Sequence, residues 1–267
     1  MFFQLLRVPE WHVPEINQYL KFAETFNSYD ILINILQSHH SVCDVRRWTE
    51  RVETIIQAFK PITKEFQIGN AVNRTKGGCS NTSDYLSLIN ATQHLKDRYP
   101  DVTMIGGSVI DFEPLPLLRI LFNFHHYHFD VCSSQLYVNR RGAPSNKQFG
   151  YFDLDTKIRL YKAIINMGNR SNSRFFITET NWPLLNTKPY TPNSGDPRST
   201  ASEEEQASYL RDYFKIAWST GCVERVYWWQ LVSPGYGLVD NRHHAVRKMP
   251  SFYALKQMLS ATSMDFA

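Results

Sequence analysis

Glu179 follows a short apolar run, and its carboxylate is the group in this sequence best placed to do chemistry. Residues 174–178 are rich in Phe, Ile and Thr, which favour strands, and their nearly continuous apolar character is typical of a parallel strand covered on both faces. A carboxylate at the C-terminal end of such a strand is where α/β barrels place catalytic groups. A single glutamate at a strand end is more often a solvent-exposed residue without a catalytic role. A catalytic role for Glu179 therefore depends on which other residues lie at the same edge of the sheet.

Polar and aromatic residues also lie at or after the carboxyl ends of the predicted strands. They are Arg7, Glu10, Asn70, Asp111, Glu113, Tyr137, Trp182, Trp228, Gln230 and Asp240. Because the carboxyl ends of the strands in a closed parallel barrel share one rim, we expect these side chains to surround one pocket with Glu179. Carboxylates provide the chemistry, amides and arginine bind hydroxyl groups, and tryptophan faces cover the C–H face of a sugar. The set therefore predicts a carbohydrate site.

Strands and helices alternate along the chain, which predicts a parallel sheet wrapped by helices. The predicted strands are residues 2–7, 31–36, 65–70, 102–105, 129–138, 174–178 and 223–232. The predicted helices are residues 14–26, 44–59, 83–98, 116–122, 153–167, 202–220 and 250–259. The fold class is therefore α/β, a TIM-type (β/α) barrel with seven visible units, whereas a closed barrel has eight. An open doubly wound sheet is the alternative, but no GxGxxG fingerprint follows an early strand.

The composition predicts one ordinary soluble domain over residues 1–267, with 43% hydrophobic and 20% charged residues. The net charge is +4 and the basic residues are scattered, which argues against a nucleic-acid partner. No apolar stretch is long enough to span a membrane, and the start lacks a basic signal-peptide region, so a cytoplasmic location is the default expectation. The four cysteines show no CxxC spacing and are expected to be reduced.

Histidines occur in three groups, and we predict neither a metal nor another cofactor. Residues 125–128 contain three histidines, but they precede a strand and should lie on the side away from the chemistry. The pairs His39-His40 and His243-His244 should lie on the catalytic side, where exposed histidines without a role are the more common case. The segment 187–200 is rich in Pro, Asn, Ser and Gly and predicts a long loop on the catalytic rim.

Three motifs resemble the retaining glycoside hydrolases built on (β/α)8 barrels, the clan that includes β-xylosidase-like and cellulase-like families. Residues 177–182, Ile-Thr-Glu-Thr-Asn-Trp, resemble the clan's seventh strand, whose terminal glutamate is the nucleophile. Residues 227–231, Tyr-Trp-Trp-Gln-Leu, resemble its eighth strand, where a tryptophan lines the sugar subsite. Residues 66–73, Phe-Gln-Ile-Gly-Asn-Ala-Val-Asn, resemble its fourth strand. By this resemblance the clan's first strand is missing, which predicts a chain that is incomplete at its N-terminus or a barrel that is open there.

The fourth-strand motif departs from the clan at one position. The clan's acid/base glutamate should follow Asn70, which the resemblance implies contacts the sugar 2-hydroxyl, but Ala71 stands there instead. Retaining hydrolysis uses two carboxylates, one as nucleophile and one as acid and then base. Another carboxylate can take the role, with Glu10, Asp111, Glu113 and Asp240 as candidates. Alternatively, the leaving group needs no protonation, or the site binds sugar without cleaving it.

The sequence thus leaves three hypotheses for function. The first is a glycoside hydrolase acting on O-glycosidic bonds, with Glu179 as nucleophile. The second is a catalytically inactive carbohydrate-binding protein on the same barrel, which Ala71 favours. The third is another barrel enzyme in which Glu179 is a general base, because this fold hosts many reactions. We favour the first, because a binding module has no need of a carboxylate at that position.

Overall fold

The computed structural model describes residues 3–26, 28–191, 199–242 and 245–264. Seven strands form one sheet in the order in which they occur in the chain. They are β1 (Phe3–Pro9), β2 (Asp30–Leu36), β3 (Glu65–Ile68), β4 (Thr103–Ile110), β5 (Val131–Gln135), β6 (Phe175–Thr180) and β7 (Arg225–Trp228). Neighbouring strands from β1 to β6 pair in parallel. A short antiparallel pair, β8 (Val239–Asp240) and β9 (Arg247–Lys248), was not predicted.

Nine helices accompany the strands in the described ranges. They are α1 (Ile16–Glu24), α2 (His39–Cys43), α3 (Val45–Phe59), α4 (Thr82–Thr92), α5 (His94–Arg98), α6 (Pro114–Leu121), α7 (Leu154–Met167), α8 (Glu203–Ser219) and α9 (Pro250–Met264). The alternation of strand and helix confirms the α/β prediction. None of the helices in the described ranges has both the length and the apolar character that crossing a bilayer requires.

The chain divides into two compact units. The first comprises Met1–Gln135 and Tyr161–Thr178, and the second comprises Leu136–Leu160 and Glu179–Ala267.

The first unit contains strands β1 to β5 and most of β6. Strand β2 is buried at five consecutive positions, which explains why its sequence is continuously apolar rather than alternating. Strand β5 is equally buried but polar, and its serines have partners in β4. Ser133 Oγ donates to Gly106 O at 3.1 Å and Ser134 Oγ to Val109 O at 2.9 Å. Helix α3 buries its predicted apolar face, including Trp48.

The second unit is built around helices α8 and α9. Helix α8 starts at the predicted capping box, in which Ser202 Oγ accepts from Glu205 N at 3.1 Å and Ser202 N donates to Glu205 Oε2 at 2.8 Å. Its apolar face forms a core with α9 and with the residue before β8. That core contains Ala207, Leu210, Leu238 and Ala254.

Several predicted boundaries were wrong for local reasons. The predicted strand 102–105 continues to Ile110, because a β-bulge accommodates Gly107 and Ser108 at positive φ where the sequence suggested a stop. The predicted helix 83–98 is broken at Gln93, where Thr92 Oγ1 bonds back to the carbonyls of the preceding turn. The predicted strand 223–232 ends at Trp228, because the backbone beyond it pairs elsewhere, with Leu238 N donating to Gln230 O.

Candidate active site

Glu179 is the last residue but one of β6, and its side chain is buried, with 8% of its surface exposed. The hydroxyl of Tyr137 donates a hydrogen bond to Glu179 Oε1 within the second unit. Tyr137 itself is buried and comes two residues after β5. The structure thus brings together two residues that the sequence predicted for the site. A buried carboxylate oriented by a neutral hydroxyl is suited to attack an electrophilic carbon.

Arg141 supports this pair, and the sequence analysis did not predict it. Its guanidinium lies over the Tyr137 ring, 3.1 Å from the ring centroid. Its NH1 group donates to both the backbone and the side-chain oxygen of Asn181, at 3.1 Å each. Arg141 therefore links the tyrosine to the segment that follows Glu179. In the sequence, Arg140-Arg141 stood out only as two adjacent positive charges, because nothing in the spacing shows a ring beneath them.

Trp182 and Trp228 contact each other in the second unit. Their rings are stacked, with centroids 5.9 Å apart and planes at 22°. Trp182 is fully buried and donates through Nε1 to Gly142 O at 2.9 Å. Trp228 is half-buried and donates to Tyr236 O at 3.2 Å. Gln230 is also half-buried, so Trp228 and Gln230 are the more accessible of the predicted binding residues here.

Asp240 is buried in the second unit and is held by arginine. Arg242 donates to its two carboxylate oxygens at distances from 2.8 to 3.2 Å, and Arg247 NH2 lies 3.5 Å from Oδ2. Hydrogen bonds from the Arg242 side chain lower the pKa of Asp240, against the opposing effect of desolvation. A carboxyl group with a lowered pKa is a weaker candidate for proton donation near neutral pH.

Asn70 lies just after β3 in the first unit, within a network of amides. Asn34 Nδ2 donates to Asn70 Oδ1 at 3.1 Å, and Gln135 Nε2 donates to the same oxygen. Gln37 exchanges two hydrogen bonds with the Asn70 backbone, at 2.7 and 2.8 Å. The Asn70 side chain is thereby fixed, with its Nδ2 group as a remaining donor. Ala71 follows with φ of 47° and offers only a methyl group.

Arg7 lies in β1 and is half-buried. It is in register with Asn34 of β2, which is in register with Gln67 of β3. Parallel register therefore places these three polar residues in one row across the sheet of the first unit.

The three remaining candidate carboxylates also lie in the first unit, and arginines bind them. Arg51 NH1 donates to Glu10 Oε2. Arg74 contacts both Asp111 and Glu113, at 2.8 and 2.7 Å. The sequence indicates the acids but not these partners, because ion pairs between residues that are distant in the chain leave no local pattern.

The grouped histidines that the structure describes are all exposed. His39 and His40 are exposed, His125, His126 and His128 are exposed, and His243 and His244 lie outside the described residues, as does part of the predicted loop 187–200. Within the described ranges, no three His, Cys, Asp or Glu side chains are grouped as metal ligands would be. All four cysteines are free thiols, as predicted.

Comparison with known proteins connects this arrangement to a fold. No protein-family model matches the sequence, and no curated protein matches it. Solved structures do: a family 39 glycoside hydrolase from Bacteroides cellulosilyticus has a TM-score of 0.65 at 14% identity, over 94% of this chain and 56% of that one. The chain therefore spans little more than half the length of that enzyme.

Two further structures give the same result. A β-glucosidase from Thermotoga maritima has a TM-score of 0.66 at 9% identity, over 95% of this chain and 82% of that one. A GH10 endoxylanase from a sugarcane soil metagenome has a TM-score of 0.59 at 14% identity, over 93% and 82%. Identities this low carry information about fold alone. This chain shares its fold with glycoside hydrolases of the TIM-barrel clan.

Proposed function

We propose that this protein is a glycoside hydrolase-like enzyme that acts on O-glycosidic bonds of a carbohydrate, with Glu179 as nucleophile. The observation that carries the proposal is the hydrogen bond from Tyr137 to the buried Glu179 carboxylate at the end of a parallel strand. The shared fold with glycoside hydrolases supports it. Tyr137 orients the carboxylate, and Arg141 packs over the tyrosine ring.

The reaction proceeds in two displacement steps. Glu179 attacks the anomeric carbon, a carbon–oxygen bond forms to its carboxylate, and the leaving-group oxygen departs with the electron pair of the broken glycosidic bond. A water oxygen then bonds to the anomeric carbon, the Glu179 carboxylate departs with the electron pair of the ester bond, and the proton that the water loses passes to the solvent. An alcohol leaves readily only when a proton reaches it, and that step usually belongs to a second carboxylic acid.

Proton delivery is the unusual feature of this proposal. Ala71 carries no proton, and the four other candidate acids are bound by arginines: Glu10, Asp111, Glu113 and Asp240. Guanidinium groups thus occupy all four carboxylates, and for Asp240 the hydrogen bonds from Arg242 also lower the pKa, which disfavours the protonated form that a general acid requires. We therefore propose a preference for glycosides whose leaving group departs without protonation.

The remaining predicted residues are proposed to bind the sugar. Asn70 offers its Nδ2 group to a hydroxyl, because its Oδ1 atom already accepts from two amides. Trp228 offers an aromatic face, with Trp182 stacked behind it. Arg7 and Gln230 are proposed as hydroxyl partners, since both are half-buried.

A series of aryl glycosides with leaving groups of increasing acidity tests the proposal. We expect turnover to rise steeply with leaving-group acidity, and Glu179→Gln to reduce it by about 10³-fold or more. Turnover that survives in Glu179→Gln excludes this residue as nucleophile. A rate independent of the leaving group shows that a proton donor operates.

Binding without cleavage is the second candidate function, and Ala71 together with the arginine-bound carboxylates favours it. It predicts that oligosaccharides bind while even the most activated glycoside remains intact. Calorimetric titration of oligosaccharides alongside the aryl glycoside series distinguishes the two functions.

A further inference from the structure

A pocket that takes no part in the proposed hydrolysis lies wholly within the first unit. Its volume is about 540 Å³, and all its lining residues fall between positions 10 and 51. It lies among the 3-10 turn Glu10–Glu15, helix α2 and the first turns of α3. Ligand pockets in proteins measure roughly 300–1,000 Å³, so this one is large enough for a sugar unit.

The base of the pocket is a fixed carboxylate. Glu10 is 2% exposed, and its Oε1 atom accepts from Ser38 Oγ at 2.8 Å and from Ser41 Oγ at 3.0 Å. Its Oε2 atom accepts from Arg51 NH1. Three donors thus hold Glu10, and in turn Glu10 fixes Arg51, whose other guanidinium nitrogens remain available as donors.

Arg47 adds a second guanidinium on the same face of α3. Arg47 and Arg51 are four residues apart, a spacing that places side chains one above the other on a helix. Among the described residues, the Arg47 guanidinium has no hydrogen-bond or ion-pair partner, although its backbone N–H caps on Asp44. The adjacent Arg46, by contrast, pairs with Glu50 at 3.0 Å on the helix surface. Arg47 therefore brings to the pocket a positive charge that no described residue pairs with, whereas the charge of Arg46 is paired with Glu50.

Two tryptophans complete the lining. Trp11 lines the pocket and is 44% exposed, which leaves part of its ring open to a ligand. Trp48 is 1% exposed, and its Nε1 donates to Leu88 O at 3.3 Å, so it offers only carbon atoms. The Asp44 carboxylate is exposed at the edge and can accept a hydrogen bond from a hydroxyl group.

We propose that this pocket binds a sugar unit that carries a carboxylate, such as a uronic acid. The Trp11 face covers the C–H face of the ring, Arg47 and Arg51 bind the carboxylate, and Asp44 accepts from a ring hydroxyl. A polyhydroxylated ring with one negative charge fits this mixed set of donors and acceptors. A phosphate dianion fits less well, because it brings a second negative charge beside the Asp44 and Glu10 carboxylates and has no C–H face to cover Trp11.

Calorimetric titration with methyl β-glucuronide and with its neutral counterpart, methyl β-glucoside, tests the proposal. Loss of one charge-assisted contact weakens binding by about 10- to 100-fold, and that is the effect we expect for Arg47→Gln with the glucuronide. The matched control Arg46→Gln should change the affinity by less than about two-fold. Trp11→Ala should weaken both ligands by about 3- to 10-fold.

The same titration separates this pocket from the site at Glu179. We expect Glu179→Gln to leave glucuronide binding unchanged, whatever that variant does to hydrolysis. The proposal is overturned if the glucuronide does not bind, if both ligands bind equally, or if Arg46→Gln weakens binding as much as Arg47→Gln. Binding that depends on Glu179 and not on Arg47 overturns it as well.

Discussion

The segment that follows β3 and the end of β6 differ in the side chains that they present. After β3, three amide side chains hold Asn70, and the next residue contributes only a methyl group. At the end of β6, Glu179 presents a carboxylate to which Tyr137 donates, with Arg141 packed over the tyrosine. In the proposed function, the first segment binds sugar through neutral hydrogen bonds, and the second forms the bond to the anomeric carbon.

Arginine partners separate the carboxylates further. Glu10, Asp111, Glu113 and Asp240 each pair with one or two guanidinium groups. Most of these contacts join elements distant in sequence: Arg51 of α3, for example, reaches the turn after β1, whereas Arg242 is only two residues from Asp240. The position of a carboxylate after a strand is therefore a weak guide to its role. The hydrogen-bond partners of a carboxylate are a better guide to its role.

Ala71→Glu should give the largest effect, because it adds the missing acid after β3. Alanine already adopts the positive φ at this position, so a longer side chain needs no new backbone conformation. We expect hydrolysis of an unactivated alkyl glycoside to rise by about 10²–10⁴-fold. Steady-state kinetics on alkyl and activated aryl glycosides measure the gain, which should be confined to the alkyl substrate.

Ala71→Gln is the matched control for this gain. It has nearly the same size and no acidic proton, so it should leave the alkyl glycoside rate unchanged. An equal gain in both variants means that side-chain volume, rather than proton donation, is responsible.

Tyr137→Phe should have the next largest effect, because it removes the hydrogen bond to Glu179 and keeps the ring beneath Arg141. A hydrogen bond to a charged group contributes about 1.5–3 kcal/mol, so kcat/KM on an activated glycoside should fall about 10- to 100-fold. Tyr213→Phe removes a comparable buried hydroxyl, which donates to Leu136 O at 2.6 Å. That control should lower stability and leave kcat/KM unchanged; an equal loss of activity in both variants contradicts a specific role for Tyr137.

Much of the fold was predictable from local pattern. The apolar run before Glu179 gave a correct buried strand, and the Ser202/Glu205 capping box marked the correct start of a helix. The local sequence pattern did not predict strand ends that depend on contacts with neighbouring strands. Gly106 and Gly107 suggested a strand end, but a bulge carries β4 through them.

The sequence indicated several residues of the candidate site but few of the contacts between them. Strand ends pointed to Tyr137 and Glu179, which are hydrogen-bonded to each other. Arg141 and Gln37 were not predicted. Arg141 packs over the Tyr137 ring and Gln37 binds the backbone of Asn70, and neither contact produces a recognisable spacing of residues in the sequence. The ion pairs of the candidate acids were missed for the same reason.

Gln37→Ala tests how the segment after β3 is held. Gln37 is 4% exposed and its side chain bonds to the Asn70 backbone and to Gly77 O. Its removal leaves buried backbone groups unpaired, which we expect to lower the free energy of unfolding by about 1–3 kcal/mol and to raise KM. Urea unfolding and steady-state kinetics measure the two effects. Gln57→Ala, which removes an exposed hydrogen-bonded amide, should change neither appreciably. Equal losses in the two variants contradict this account.

Asp240→Asn should have the smallest effect and the clearest pH dependence. The pKa of Asp240 is lowered in the folded protein, chiefly by hydrogen bonds from Arg242, so its contribution to stability is present above the unfolded-state pKa of about 3.9 and is lost as the pH falls through the folded-state value. We expect the variant to be less stable by about 1–2 kcal/mol at pH 7, and the difference to shrink below about pH 4. Urea unfolding across this pH range measures it.

Asp155→Asn is the control for this difference, because its pair with Arg159 is exposed and such pairs contribute little. The Asp240→Asn variant should hydrolyse glycosides at the same rate as the unaltered protein, because the ion pairs with Arg242 and Arg247 give this carboxylate a structural role. A loss of activity on alkyl glycosides alone identifies Asp240 as the proton donor despite those arginines. Arginine partners alone would then not distinguish a structural carboxylate from a catalytic one.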